Sequence, residues 1–304
     1  MGDESEMHNG IKSIDHPVIA VEDMEASRIV YEKLGFTVPP RGSHVEWGTG
    51  NWCLMFPDDY LELRGILDPE RYTLNLDEVL KRFGEGLMGV AFGTDSAQGN
   101  YDEMIKNGLA PKDFPKELTR NFELAEGWVQ PQFKLCFPQE ADITGLMHVV
   151  MCEHLTPELT RKPEYLKHPN GTLGIISMTG IVDHLDKTEI VQRRLLGRKE
   201  VKRIDDRIEA TLASGQKIVF MLKDEFESRY AGLSRSIPGD EGVHLEAMAL
   251  KVDDIGKISS ILQQNNIPFE FRENGAAVVG ASYTCGAILE FVEACFCNQH
   301  SQFI

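Results

Sequence analysis

Three residues of this chain stand on short runs that read as buried β-strand, and all three are of types that ligate metals or move protons: His16, Glu62 and His148. With the period-two alternation of a strand, His16 in IDHPVIAV shares a face with Ile14, Val18 and Ala20. Glu62 in YLELRG shares a face with Tyr60 and Arg64, while Leu61 and Leu63 point the other way. His148 shares a face with Leu146 and Val150. An unpaired buried polar group costs roughly 1–3 kcal/mol, so each of the three needs a partner. One divalent ion would satisfy them together and, with three protein ligands, would keep positions open for substrate or water. Separate core contacts for the histidines, with Glu62 paired to Arg64 or Arg41, would satisfy them equally.

Polar residues that could handle a substrate lie close by in sequence. Arg41 and His44 stand in PPRGSH, Thr49 and Asn51 in WGTGNW, and Tyr60 two residues before Glu62. Arg41 is suited to fix a carboxylate bidentately. His44, Tyr60 and Glu62 are suited to move a proton. Arg41, Thr49 and Asn51 form the expected substrate-binding set; each also reads as a solvated turn or strand residue. No GxSxG nucleophile, P-loop or dinucleotide fingerprint is present.

The elements that must position these residues repeat four times. In each copy an apolar, β-rich run ends in a polar cap, a helix of about three turns follows, and Gly or Asn stops it. The caps fall at Asp23, Asp95, His184 and Asp254, and the stops at Gly35, Gly108, Gly197 and Asn266. Apolar stripes such as Ile255, Ile258 and Leu262 turn one helix face toward a sheet. Each copy closes on a strand: YLELRG, LMHVVM, IVFMLK and ILEFVE. The fold class is therefore α+β, four βαβββ modules forming two paired-module domains at 12–155 and 172–296. The proline-rich stretch 156–171 is the expected linker.

With 31 basic and 48 acidic residues among 304, the net charge of −17 speaks against nucleic acid and against an anionic membrane surface. No apolar run approaches the roughly 20 residues that span a bilayer. Six cysteines without a CxxC pair make no disulfide framework, which suits a reducing, cytoplasmic setting. The acidic start MGDESE reads as a tail rather than a signal peptide. A small-molecule substrate is the expected partner, and a homodimer is the commonest closed assembly.

Paired βαβββ units resemble the vicinal oxygen chelate superfamily. The N-terminal half is similar to its glyoxalase-like branch through IDHPVIAVEDM (14–24), YEKLGFTVPPRGSH (31–44), GTGN (48–51), FPDDYLEL (56–63) and HPNG (168–171). The resemblance implies a half-barrel around a divalent metal (Fe, Mn, Zn or Ni), with ligands from the first and last strands of each module. Carried over, those positions are His16, about Met88, Glu62 and His148, of which Met88 is a poor ligand for a hard ion. In copies three and four they fall at Ser177, Ala247, Val219 or Phe220, and Glu290, which cannot make a site. The implied activity is lyase or isomerase chemistry on a small oxygenated substrate through a metal-stabilised enolate. An Fe(II) extradiol ring-cleaving dioxygenase and a non-catalytic drug-binding protein are the alternatives.

Overall fold

The computed structural model describes residues 10–124, 127–139, 148–235 and 244–294. Each repeat builds one module. The first comprises β1 (Ile11–Ala20), α1 (Met24–Lys33), β2 (Gly42–His44), β3 (Thr49–Met55) and β4 (Tyr60–Ile66). A connecting helix, α2 (Leu76–Phe83), leads to the second: β5 (Gly86–Thr94), α3 (Ala97–Lys106), β6 (Lys116–Leu124), β7 (Gly127–Val129), β8 (Gln132–Cys136) and β9 (His148–His154). The third holds β10 (Thr172–Ile181), α4 (Leu185–Leu195), β11 (Val201–Ile204), β12 (Arg207–Thr211) and β13 (Lys217–Met221). After α5 (Lys223–Arg229), the fourth holds β14 (His244–Val252), α6 (Ile255–Gln264), β15 (Glu270–Phe271), β16 (Ala277–Val279) and β17 (Ile288–Glu293).

Capping fixes where the module helices begin. Asp23 accepts from the Glu25 and Ala26 amides, Ser96 from Gly99 and Asp254 from Gly256, while His184 caps α4 without a side-chain bond. In the second module the cap is thus Ser96, one residue beyond the expected Asp95. The four stops, Gly35, Gly108, Gly197 and Asn266, all take the left-handed conformation that ends a helix.

Within each half the two first strands lie antiparallel at the centre, β1 against β5 and β10 against β14, and each module's last strand runs parallel beside its first. The second sheet is open, in the order β11-β12-β13-β10-β14-β17-β16-β15. The first, β2-β3-β4-β1-β5-β9-β8-β6-β7, also pairs β2 with β6, so eight strands close into a barrel and β7 hangs outside. Strands β1 and β10 carry bulges at matching places, among them Ile14/His16 in one and Ile175/Ser177 in the other.

One hydrophobic core serves both halves: Ile14, Phe36, Phe56 and Phe92 cluster with Met178, Leu250, Leu262 and Phe291. The HPNG segment pins the end of α1 between them. His168 accepts from the Thr37 amide at 3.0 Å and donates to the Met55 carbonyl at 2.9 Å, and the Asn170 side chain donates to the Leu34 carbonyl. Buried Asp59 accepts from the Ile175 amide and from Gln216 Nε2 across the junction. Cys53, Cys136, Cys152 and Cys285 are free, and among the described residues no helix is long and apolar enough to cross a membrane.

Candidate active site

The closed barrel holds a pocket of about 430 Å³ of atom-free space, part of it open to solvent. Its first-module wall is polar: His16, His44, Asn51, Tyr60, Glu62 and Arg64. Its second-module wall is largely apolar, with Leu118, Phe133, Leu135, Phe137 and Val150 beside Arg120 and Cys152. A small organic ligand needs such a combination of apolar walls and a few convergent polar groups.

The bulge in β1 shapes the polar wall. Asp15 is the extra residue, since Ile14 pairs with Phe92 and His16 with Ala91. Simple alternation fails here: Ile14 packs in the main core with Ile19 and Val21, whereas Val18 and Ala20 pack with Met88 beyond it. The bulge lets Asp15 Oδ2 accept from its neighbour, His16 Nδ1, at 2.7 Å, and His154 Nε2 donates to the same carboxylate. On its other edge His16 Nε2 lies 3.3 Å from Glu62 Oε2. Tyr60 stacks on the imidazole with ring centroids 4.3 Å apart. Burial alone would lower the His16 pKa, but hydrogen bonds and charge from Asp15 and Glu62 raise it. Burial would raise the Asp15 carboxyl, yet His154 and His16 together hold it well below the carboxylate range.

Glu62 is fully engaged. Oε1 accepts from Asn51 Nδ2 at 2.8 Å and Arg64 Nε at 3.0 Å, and Oε2 accepts from Arg64 Nη2 at 2.6 Å. Against the burial that would raise it, the Arg64 charge and His16 keep this carboxyl well below its ordinary pKa. His44 is pushed down to about 3, chiefly by burial, so it is a neutral imidazole. Its Nδ1 donates to Thr49 Oγ1 at 2.8 Å, and its Nε2 faces Asn51 Nδ2 at 3.4 Å.

The structure therefore brings together His16, His44, Thr49, Asn51, Tyr60 and Glu62. Arg41 is exposed and His148 does not line the pocket. Strand register explains the position of His148. Five residues before each helix cap stand Val18, Ala91, Thr179 and Ala249, whose parallel partners are Glu62, Val150, Val219 and Glu290. Two residues earlier on the first strands stand His16, Gly89, Ser177 and Ala247. In the second module the equivalent positions are thus Gly89 and Val150 rather than Met88 and His148: the cap at Ser96 moves the first by one residue, and the pairing of Ala91 with Val150 moves the second by two.

Of the positions His16, Glu62, Gly89 and Val150 only the first two carry donor atoms, too few to hold a divalent ion. Among the described residues, another group does assemble: ligand atoms of Asp15, Cys152 and His154 all lie within 4.8 Å of one another.

Asp15, Arg120, Cys152 and His154 complete the site beyond the residues read from sequence. Arg120 had a signal. It falls in step with Leu118, Phe122 and Leu124, so alternation already puts a guanidinium on the buried face of β6. Asp15 had none, because a bulge leaves no mark in composition.

No curated protein matches the chain in sequence. In fold it is similar to a hypothetical protein from Staphylococcus aureus (TM-score 0.64, 11% identity, 92% of this chain and 98% of that one). It is also similar to a mutant 4-hydroxymandelate synthase from Streptomyces coelicolor (0.60, 13%, 93% of each chain). A third likeness is a xylose isomerase-like TIM barrel/4-hydroxyphenylpyruvate dioxygenase fusion protein (0.56, 11%, 96% of this chain and 51% of that one). At such identities these likenesses speak to the fold alone. The sequence model of the glyoxalase-like domain matches residues 14–196, which takes in the closed barrel and the start of the second sheet. The paired βαβββ modules have the vicinal oxygen chelate fold, and with that match the chain belongs to the glyoxalase-like domain family.

Proposed function

We propose that the barrel of residues 12–155 is an enzyme site that moves a proton on a small oxygenated organic substrate, in isomerase or lyase chemistry. On this reading residues 172–296 cover and brace it, and 156–171 connect the two. One observation carries the proposal: adjacent groups 3.3 Å apart on the pocket wall, His16 and Glu62, have pKa values driven in opposite directions. The raised pKa of His16 favours the protonated state of an acid and the lowered pKa of Glu62 the ionised state of a base, which is how paired titratable groups divide acid and base work. On substrate binding Glu62 Oε1 gives up its bond to Asn51 and takes a proton from a carbon next to a carbonyl. His16 Nε2–H donates to the oxygen on which negative charge develops. Asp15 fixes the orientation of the imidazole, Tyr60 its plane, and Arg64 the carboxylate.

Proton exchange in deuterium oxide, followed by NMR on a panel of 2-hydroxy ketones and 2-oxo acids, tests this. His16→Gln and Glu62→Gln should each slow exchange by about 100-fold or more. Undiminished exchange in Glu62→Gln would sink the assignment.

The three converging donors favour a second, metal-dependent reading. Asp15, Cys152 and His154 would hold a divalent ion that supplies Lewis-acid stabilisation of a substrate oxygen. Elemental analysis should then find metal that Cys152→Ser loses and His148→Ala retains. Iron with oxygen uptake on a catechol would indicate ring cleavage. Tight ligand binding with neither metal nor turnover would indicate a binding protein.

A further inference from the structure

We infer that the ligand of the barrel pocket carries a carboxylate on an apolar body, and that Arg120 binds that carboxylate. The inference takes the pocket as the substrate site and names the class of molecule it accepts. Arg120, on β6 with its Cα opposite His44, is only 3% exposed yet lines the pocket. The other buried arginine, Arg64, has Glu62, and the half-buried Arg235 and Lys217 have Glu246 and Glu209. Arg120 has none among the described residues. Its Nη1 donates to Cys53 Sγ at 2.8 Å, its guanidinium lies 4.9 Å from the Phe122 ring centre, and its buried Nε meets no acceptor. Burial pushes the Cys53 thiol up to about 12, so it offers no balancing charge. Glu62 is committed to Arg64 and Asp15 to two histidines. A buried guanidinium without a counter-charge is costly, and a ligand anion removes that cost.

The surroundings define the rest of the ligand. Gly42 faces the guanidinium across the β2–β6 seam; a Cβ there would run into Asn51 Oδ1 and the Arg120 side chain. Asn51 Oδ1 is buried without a donor, so an acceptor stands near the guanidinium for a hydroxyl of the ligand. Leu118, Phe133, Leu135 and Phe137 form the surface for its apolar body. Arginine's planar fork suits a carboxylate bidentately.

The test is calorimetric titration with phenylacetate and 3-phenylpropanoate against their neutral amides, on the wild type, Arg120→Met and Arg120→Lys. The wild type should prefer acid over amide by about 10-fold or more. Arg120→Met should bring the two within about 2-fold, and Arg120→Lys should restore part of the difference. Melting without ligand separates a binding role from a structural one: Arg120→Met should be at least as stable as the wild type, because it removes an unpaired buried charge. Equal affinity for acid and amide, an unchanged preference in Arg120→Met, a strongly destabilised Arg120→Met, or no carboxylate binding up to ~10 mM would each overturn the inference. Binding is read without turnover. Failure of the proton-transfer reading would therefore leave this result intact.

Discussion

Burial sorts the histidines of this chain into two kinds. His44 and His148 are pushed down, to about 3 and about 4, chiefly because the interior penalises an imidazolium. His16 is as deeply placed, but the Asp15 and Glu62 carboxylates on its two edges reverse the sign. For His44 and His148 the folded pKa lies below the ordinary 6.5, so the stability they contribute is present above 6.5 and lost as pH falls toward those values. For His16 it is fully present below 6.5 and lost as pH rises through the raised value. Each pKa unit corresponds to about 1.4 kcal/mol. Urea unfolding from pH 6.5 down to 4 should therefore show falling stability, with a shallower fall in His148→Gln. An equal slope in both proteins would mean that His148 titrates normally.

At the scale of elements, the caps and the bulge do most to set the site. Asp23→Ala removes two bonds to helix amides and Ser96→Ala one, and each should cost about 1 kcal/mol. His184→Ala removes none and should stay within about 0.5 kcal/mol. Similar losses in all three, by denaturant unfolding, would refute the distinction. Cap and stop residues are local signals, and for that reason the four modules and the order of their strands were legible in the sequence. Register was less so. Asp95 and Ser96 are both good caps, and choosing between them moves the first-strand position from Met88 to Gly89; matching MHV to LEL puts His148 where the β5–β9 register puts Val150. The contributions of Asp15 and His154 depend on a bulge and on the far end of β9, and alternation counted along one strand shows neither. The polar cluster of the first module was readable because His44, Thr49, Asn51, Tyr60 and Glu62 lie on three successive strands of one unit.

For the whole molecule, the junction between the halves carries its own titration. Burial raises the Asp59 carboxyl to about 8, with the Ile175 amide opposing and the Asp15 charge adding. Because the folded value exceeds the ordinary 3.8, its contribution is fully present below that value and lost as pH rises through about 8. The melting temperature of the wild type should lose this contribution between about pH 5 and 8, and the change over that range should differ in Asp59→Asn, which lacks the titration. Parallel curves would assign the pH dependence to other groups. Since one core spans both sheets, the loss should appear as a single cooperative transition.

Gly89 has a consequence for redesign. It faces the backbone of β9 so closely that a Cβ would land on the His148 carbonyl oxygen, and no side chain can be installed there without moving a strand. Val150 already points into the pocket and meets no such bar. Of these two positions, a chemist wishing to graft a new metal-binding side chain onto the second module has only that of Val150 to use.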